Sequence, residues 1–461
     1  MLCHILRCYQ PRSTHRLFVA SLLLTALFAQ PSGAQNKADG FIQREGAQLT
    51  LNGHPFRYGG GNIYWLGLDE NVGGVGYPTH FRVDDAIETA QRMGATVVRA
   101  HTLGISTGNP LSLEPSLGHF NDQAFDAIDY AVASASRHGI RLLIPLTDNY
   151  HYYSGGKHNF TDWEHVPEDD FFVNPRVIAD FEAYIDHLLQ HVNPLTGLAL
   201  KDDPSIFAWE TGNEIRPLTA WTSEISAHLK QIDSHHLVLD GHYGIDTAAC
   251  DLPTVDLCGA HFNGTAFMMT GEALHDQVKL LEGKRPFIIG EFDWQQHHGG
   301  GDLESFLKEA LGNPAVAGAT YWSLFGHADT RSYVQHSDGF TLHYPGDTPP
   351  MRLRVTALRT FAFGMSSQPV PQEPPPGAPL LTGASHGLVV WRGSAGADTY
   401  ELSRSAQGPN GPWVVITSRK ITDNDLPFHD STKPPGKVWY RVRAANTEGL
   451  LGAYSPVAEA R

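Results

Sequence analysis

The sequence predicts an α/β chain: a (β/α)8 (TIM) barrel over residues 40–365, then a small all-β sandwich of immunoglobulin type over residues 380–461. Three observations carry this expectation. Eight short apolar runs alternate with longer stretches whose apolar residues recur at three and four, the pattern of parallel strands joined by helical crossovers. The region exceeds the about 250 residues of an ordinary barrel, and the surplus falls after strands, where such folds carry their functional loops. A Pro-rich break at SSQPVPQEPPPGAP (366–379) separates it from a region of period-two alternation.

Residues 1–34 read as a secretory signal peptide. Arg7, Arg12 and Arg16 lead into LFVASLLLTALFA (17–29), and small residues follow at Ser32 and Ala34. The apolar core is too short for a stable membrane span, cleavage is expected near Ala34, and the mature chain is expected to be secreted or periplasmic. Losing three arginines and no acid takes the net charge from −16 to −19. So acidic a chain argues against a nucleic-acid or anionic-membrane partner and favours a neutral or cationic ligand.

The strand runs are RYGGGNIYW (57–65), TVVRAHT (96–102), RLLIPLTDN (141–149), SIFAWETGNE (205–214), HLVLDG (236–241), VDLCGAHFN (255–263), PFIIGEFDW (286–294) and GATYWSLFG (318–326). Helices are expected at VDDAIETAQRMG (83–94), AFDAIDYAVASASRHG (124–139) and VIADFEAYIDHLLQHV (177–192), with Gly94 and Gly139 placed as C-terminal caps. Long stretches at 66–80, 102–122, 150–175 and 326–350 follow strands one, two, three and eight, all on the C-terminal face. Residues 366–379 read as a stiff linker. Beyond it, GLVVWRGSAGADTYELSRS (387–405) and KVWYRVRAANTEGLLGAYSP (437–456) alternate as sandwich strands do. Cys3 and Cys8 leave with the signal; Cys250 and Cys258 remain, either as a short-loop disulfide or as buried thiols.

The fourth run ends in charge. Glu210, Asn213 and Glu214 directly follow five mostly apolar residues, and the seventh run ends in Glu291. Buried charges are costly unless paired or used. Two carboxylates from separate strands of a closed barrel point into one cup, and glycosidic bond cleavage needs such a pair. Arg99 on strand two is placed to hold one of them ionised. Asn213 is a candidate for a sugar 2-hydroxyl, His261 for a hydrogen-bond partner and Trp322 for a ring platform. The loops add aromatic and polar residues: Tyr64, Trp65, Asn149, Tyr150, His151, Tyr152, Tyr153, Trp163 and Trp294. Trp65, Asn149 and Trp294 are the favoured sugar contacts among them.

The barrel resembles glycoside hydrolase family 5, most closely its β-mannanase branch. The resemblance rests on LNGHPFRYGGGNIYWL (51–66), DNYHYYSGGK (148–157), DDFFVNPRV (169–177), VNPLTGLALKDDPSIFAWETGNEI (192–215) and GEFDW (290–294). It implies a retaining enzyme acting on β-1,4-mannan or a related β-glycan, with Glu214 as acid/base, Glu291 as nucleophile, and Arg99, Asn213, His261 and Trp322 in support. Ile215 replaces a frequent Pro, and Asn263 stands where the family often has Tyr, for which Tyr243 is a candidate substitute. Exo-acting β-mannosidase or another β-glycan hydrolase is the alternative within the family; a non-catalytic carbohydrate-binding protein is the alternative outside it. After the linker, Trp391, Tyr400, Tyr440, Arg441, Val442 and Asn446 resemble a fibronectin type III module, expected to be a spacer or stabilising appendage, with sugar binding as the alternative.

Other signals point elsewhere and are weaker. GISTG (104–108) matches a nucleophile elbow, but Pro110 and Pro115 break the helix that an elbow requires. His235-His236 and His297-His298 lack H-E-x-x-H spacing, so no metal and no cofactor is expected. Asn159-Phe-Thr161 and Asn263-Gly-Thr265 are glycosylation sequons.

Overall fold

The computed structural model describes residues 40–264, 267–295, 301–417 and 420–460. The expected signal peptide and the His297-His298 pair lie outside these residues. Eight parallel strands form the barrel: β1 (Tyr58–Asn62), β2 (Val97–Arg99), β3 (Arg141–Pro145), β4 (Ile206–Glu210), β5 (Leu237–Leu239), β6 (Cys258–Phe262), β7 (Phe287–Asp293) and β8 (Val316–Trp322). Each pairs with its sequence neighbours except β5 with β6, and β8 returns to β1. A parallel bridge between Leu239 and Leu257 joins β5 to the segment entering β6 and completes the ring. Helices cover the outer face, which is why most strands are buried throughout rather than alternating.

Three short antiparallel strands (Ile42–Glu45, Gln48–Leu51, His54–Phe56) precede β1. Their Ile42 and Leu49 join Tyr58, Val97, Leu143, Phe207 and Ile288 in a cluster at the strand starts. That end of the barrel is plugged by apolar side chains, leaving the opposite end for chemistry.

The helices α1 (His80–Arg92), α2 (Gln123–Arg137), α3 (Lys157–Trp163) and α4 (Pro175–Gln190) follow the first three strands. α1 and α4 begin two to three residues earlier than the apolar periodicity indicates, because polar residues cap them. Thr79 accepts the Arg82 N–H, and Asn174 accepts the Arg176 N–H ahead of Pro175. Gly94 and Gly139 lie just past the ends of α1 and α2 with φ of +86° and +67°, the left-handed turn that ends a helix most readily at glycine. Cys250 and Cys258 are bridged, tying a short helix (Thr247–Cys250) to the start of β6.

Among its described residues the C-terminal region has seven strands: β9 (Leu380–Ser385), β10 (Leu388–Arg392), β11 (Thr399–Ser405), β12 (Val414–Val415), β13 (Phe428–His429), β14 (Val438–Ala445) and β15 (Ala458–Ala460). They form antiparallel sheets of three and four strands, β9-β10-β13 and β12-β11-β14-β15, packed over Trp391, Tyr400, Leu402, Tyr440 and Val442. The Pro-rich segment before them is pinned rather than free. Arg92 donates to the Pro374 carbonyl (3.1 Å), Arg359 to that of Pro371 (3.0 Å) and Asn446 to that of Glu373 (3.0 Å). Barrel and sandwich belong to one compact unit, so the segment is a seam and not a spacer.

Candidate active site

Ile206–Trp209 drives β4 into the core, and Glu210 at its end is 2% exposed. Its charge is met by Arg99 at the end of β2, which binds it in a fork: Nε to Oε2 at 2.7 Å and Nη2 to Oε1 at 2.8 Å. The remaining Arg99 donors reach Glu291 Oε1 (2.8 Å) and Asn213 Oδ1 (2.9 Å). One fully buried guanidinium thus organises residues from β2, β4 and β7. The carboxylate that seemed out of place at the end of an apolar strand is the anchor of that cation.

Past Glu210 the chain turns through Thr211 and Gly212 to Asn213, whose N–H donates to the Thr147 carbonyl (2.7 Å). Glu214 follows with φ of +52°, a strained conformation for a side-chain-bearing residue and one found most often at functional sites. Its Oε1 meets His261 Nδ1 at 2.6 Å and the Asn263 amide at 3.3 Å, and its Oε2 accepts from the Tyr150 hydroxyl at 2.8 Å. Glu291 sits inside β7 at an irregularity in the register with β6. Gly290 precedes it, and a β-carbon there would meet His261 Nε2 at 2.4 Å. Only glycine lets His261 lie flat against that strand.

A carboxylate oxygen of Glu214, one of Glu291 and a ring nitrogen of His261 lie within 4.8 Å of one another. Among the described residues this is the one cluster with the reach to ligate a cation, but Arg99 already supplies positive charge at Glu291. The two carboxylates have unlike surroundings. Burial raises the Glu291 carboxyl pKa, yet the charges of His261 and Arg99 and a hydrogen bond from His101 outweigh it and hold Glu291 well below the usual carboxylate range. His261 is raised: burial opposes its charge, and Glu291 and Glu214 more than offset that. Burial and the Arg99 charge lower His101. A third acid, Asp148, lies 2% exposed behind Asn213 and accepts the Tyr150 N–H (2.9 Å) and the Asn213 amide (3.3 Å). Burial, with the charges of Glu214 and Glu291 adding to it, pushes its carboxyl up to about 8.

The pair opens into a cavity of about 420 Å³, within the range of small-molecule sites. Its rings are Tyr64, Tyr150, Tyr152, Tyr153, Trp322 and Phe340, and Glu70, Asp293, His336 and Asp338 supply polar edges. Trp322 is half-buried and stacks on Tyr64 (5.3 Å, 15°), and its indole N–H donates to Asp338 (2.9 Å). Arg99, Asn213, Glu214, His261, Glu291 and Trp322 therefore gather at one place. The three favoured sugar contacts, Trp65, Asn149 and Trp294, do not. Trp65 is fully buried under Arg82, and Trp294, 1% exposed, donates to the Phe340 carbonyl (2.7 Å). Neither ring lines the cavity. Asn149 is half-buried and binds the Asn213 carbonyl through its N–H (3.1 Å). Tyr243 lines a neighbouring groove beneath Arg216. Ser106 of GISTG is 3% exposed and accepts the Leu113 N–H (2.8 Å), away from the cavity. Asn159 of the first sequon accepts from Thr107 and from the Gly156 N–H, each at 3.0 Å.

Fold and site together define the class: a (β/α)8 barrel with two closely spaced carboxylates in unlike surroundings at the C-terminal ends of strands four and seven. Residues 39–255 match the family described as GH family 5 beta-mannosidase-like. Mannan endo-1,4-beta-mannosidase 8 of Oryza sativa subsp. japonica is 33% identical over 305 residues, covering 54% of this chain and 79% of its own length. Mannan endo-1,4-beta-mannosidase 2 of the same species is 39% identical over 222 residues, covering 44% and 48%. The chain belongs to the glycoside hydrolase family 5 β-mannosidase-like family. It spans about half the length of most of the curated plant relatives it matches. In fold it is similar to an endo-1,4-beta-mannanase structure from Rhizomucor miehei, with a TM-score of 0.59 and 24% identity, covering 71% of this chain and 100% of that one.

Proposed function

We propose that the protein is a retaining β-glycoside hydrolase that cleaves β-1,4-mannosidic linkages inside mannan-type polysaccharides. The single observation that carries the mechanism is that a carboxylate oxygen of Glu214 and one of Glu291 lie within 4.8 Å of each other, the close approach of a retaining pair. Retaining enzymes hold their carboxyl groups about 5–5.5 Å apart, whereas inverting enzymes leave about 6.5–9.5 Å for a water. The mannan assignment is supported by the plant relatives, which are named mannan endo-1,4-beta-mannosidases.

The unlike surroundings divide the labour. Glu291, kept ionised by His261, His101 and Arg99, attacks the anomeric carbon and forms a glycosyl ester as the bond to the leaving oxygen breaks. Glu214 gives its proton to that oxygen. A water then attacks the same carbon, its proton passes to Glu214, and Glu291 is released as carboxylate. Asn213, fixed by Arg99, is placed beside both acids for the 2-hydroxyl contact that strengthens in the transition state.

An exo-acting reading has one observation in its favour. His336 on the loop after β8 meets the Tyr64 hydroxyl (3.2 Å) and Asn71 Oδ1 (3.2 Å) on the loop after β1, walling one side of the cavity. Product analysis on mannan, mannobiose and cellulose separates the two. A ladder of manno-oligosaccharides is the expected result, and mannose alone would mean exo action. Glu291→Ala is expected to lose at least about a thousandfold in kcat, and release at the wild-type rate overturns the mechanism. Secretion is part of the proposal, supported by the residue 1–34 pattern and by a disulfide suited to an oxidising compartment. Amino-terminal sequencing of exported protein, beginning after Ala34, is the check.

A further inference from the structure

A buried polar cluster away from the catalytic pair joins barrel to sandwich. His327, on the loop after β8, stands between Asp85 of α1 (3.0 Å) and Asp423 of the sandwich (3.5 Å), all three side chains 1–3% exposed. The ring of Tyr333 stacks on His327 (4.3 Å), and Tyr400 of β11 donates its hydroxyl to Asp423 (2.9 Å). Gly393 packs so closely that a β-carbon would meet the His327 ring at 2.4 Å. Burial opposes a charge on His327, but Asp85 and Asp423 outweigh it and hold the imidazole protonated, up to about 10.

The same loop is tied to the sandwich at further points. Ser332 Oγ donates to the Asp423 carbonyl (2.9 Å), Thr382 Oγ1 to the Thr330 carbonyl (2.7 Å), and the Asn424 amide to the Asp347 carbonyl (3.4 Å). Arg352, at the start of the helix that follows the loop, pairs with Asp398. Between these anchors the loop delivers His336, Asp338 and Phe340 to the cavity wall. His336 bonds Tyr64, and Asp338 holds the indole of Trp322. The Phe340 carbonyl accepts from the Ser323 N–H (3.2 Å), next to Trp322.

We propose that the C-terminal sandwich is a positioning element for the substrate cavity: by clamping residues 327–347 it sets the wall formed by His336, Asp338 and Phe340 and the orientation of Trp322. The proposal rests on the reading of the cavity as the sugar site. It assigns the sandwich a part in substrate affinity without its touching substrate, and makes Ser332, Thr382 and Asp423 positioning residues.

The test uses the full-length chain with Ser332→Ala and Thr382→Val combined, which removes two inter-module hydrogen bonds and leaves both cores intact. Amide hydrogen exchange over residues 335–342 is expected to accelerate about five- to thirtyfold relative to wild type. KM for mannan should rise while kcat stays within about twofold, the split expected when binding alone is loosened. Arg443→Ala is the control: it breaks a pair with Glu401 (2.8 Å) on the sandwich surface and touches no loop residue, so neither readout should move. Unchanged exchange or unchanged KM in the double variant overturns the proposal, as does an equal shift in the control. Because exchange is read without turnover, failure of the hydrolase assignment is distinguishable from failure of the clamp.

Discussion

Asp148 offers a quantitative test of how the site is charged. Its carboxyl is held up to about 8 from an ordinary 3.8. Below pH 3.8 folded and unfolded chains both carry the proton, and its contribution to stability is fully present. Between about pH 4 and pH 8 the unfolded chain has released the proton and the folded chain keeps it. Stability therefore falls by about 1.4 kcal/mol per pH unit, and the loss levels off above the folded pKa. Asp148→Asn removes the titration while its side-chain oxygen still accepts the Tyr150 N–H and the Asn213 amide. The variant should gain on wild type by about 3 kcal/mol between pH 5 and pH 7. Guanidinium unfolding of both proteins at one-unit steps from pH 4 to pH 9 measures it. Parallel stability curves would refute the assignment of a buried, protonated Asp148. Mannan turnover at pH 6 should survive the substitution, since the neutral acid and the amide present the same acceptor; its loss with the fold intact would mean that the Asp148 proton is used.

Three further outcomes follow from the same contacts. Arg99→Lys keeps a charge but not the fork, stranding Glu210, so the protein should lose about 3 kcal/mol of stability along with most of its activity; near-normal thermal unfolding would contradict the anchoring role. Tyr150→Phe removes the hydroxyl bonded to Glu214, and kcat should drop about tenfold on mannan. Aryl mannosides with good leaving groups should be spared, because they need little protonation, and equal losses on both would place Tyr150 outside acid catalysis. Cys250→Ser opens a loop of eight-residue separation and should cost about 2.5 kcal/mol by the chain-entropy account, read as a lower guanidinium midpoint with activity unchanged under native conditions.

The barrel was legible because each strand is a short apolar run bounded by polar loops, and those runs coincide with β1–β8. The two cavity carboxylates, Glu214 and Glu291, were legible because a Glu at the end of such a run has one direction to point. The partners were less so. Nothing local to Glu210 announces Arg99, which lies 111 residues away; closure of the barrel creates that contact. The sandwich was legible as strands, but its docking onto the loop after β8 depends on single contacts such as His327 to Asp423, which no periodicity reports.

The misplaced tryptophans have a cause that strand geometry supplies. Successive residues of an extended chain point to opposite sides. On β7, Glu291 faces the cavity, and so does Asp293; Phe292 packs outward on Phe306 (5.7 Å), and Trp294 continues that outward set. On β1, Asn62 reaches the site through Arg99 Nη1 (3.3 Å) and Tyr64 lines the cavity, which turns Trp65 into the wall. From β2, Arg99 is followed by His101 and Thr102 on a short 3-10 turn, and there both neighbours line the cavity. Ring chemistry named Tyr64, Trp65 and Trp294 alike, whereas parity from the inward residues separates Tyr64 and Asp293, which line the cavity, from the two tryptophans, which do not. The parity signal was present in the sequence once Glu291 and Arg99 were taken as inward-facing. Asp148, Tyr150 and Tyr152 show the same two-residue step into the cavity beyond β3. The two-residue step thus holds where the chain leaves a strand extended and lapses where it turns, since Tyr153 and the consecutive Asn213 and Glu214 also line the cavity.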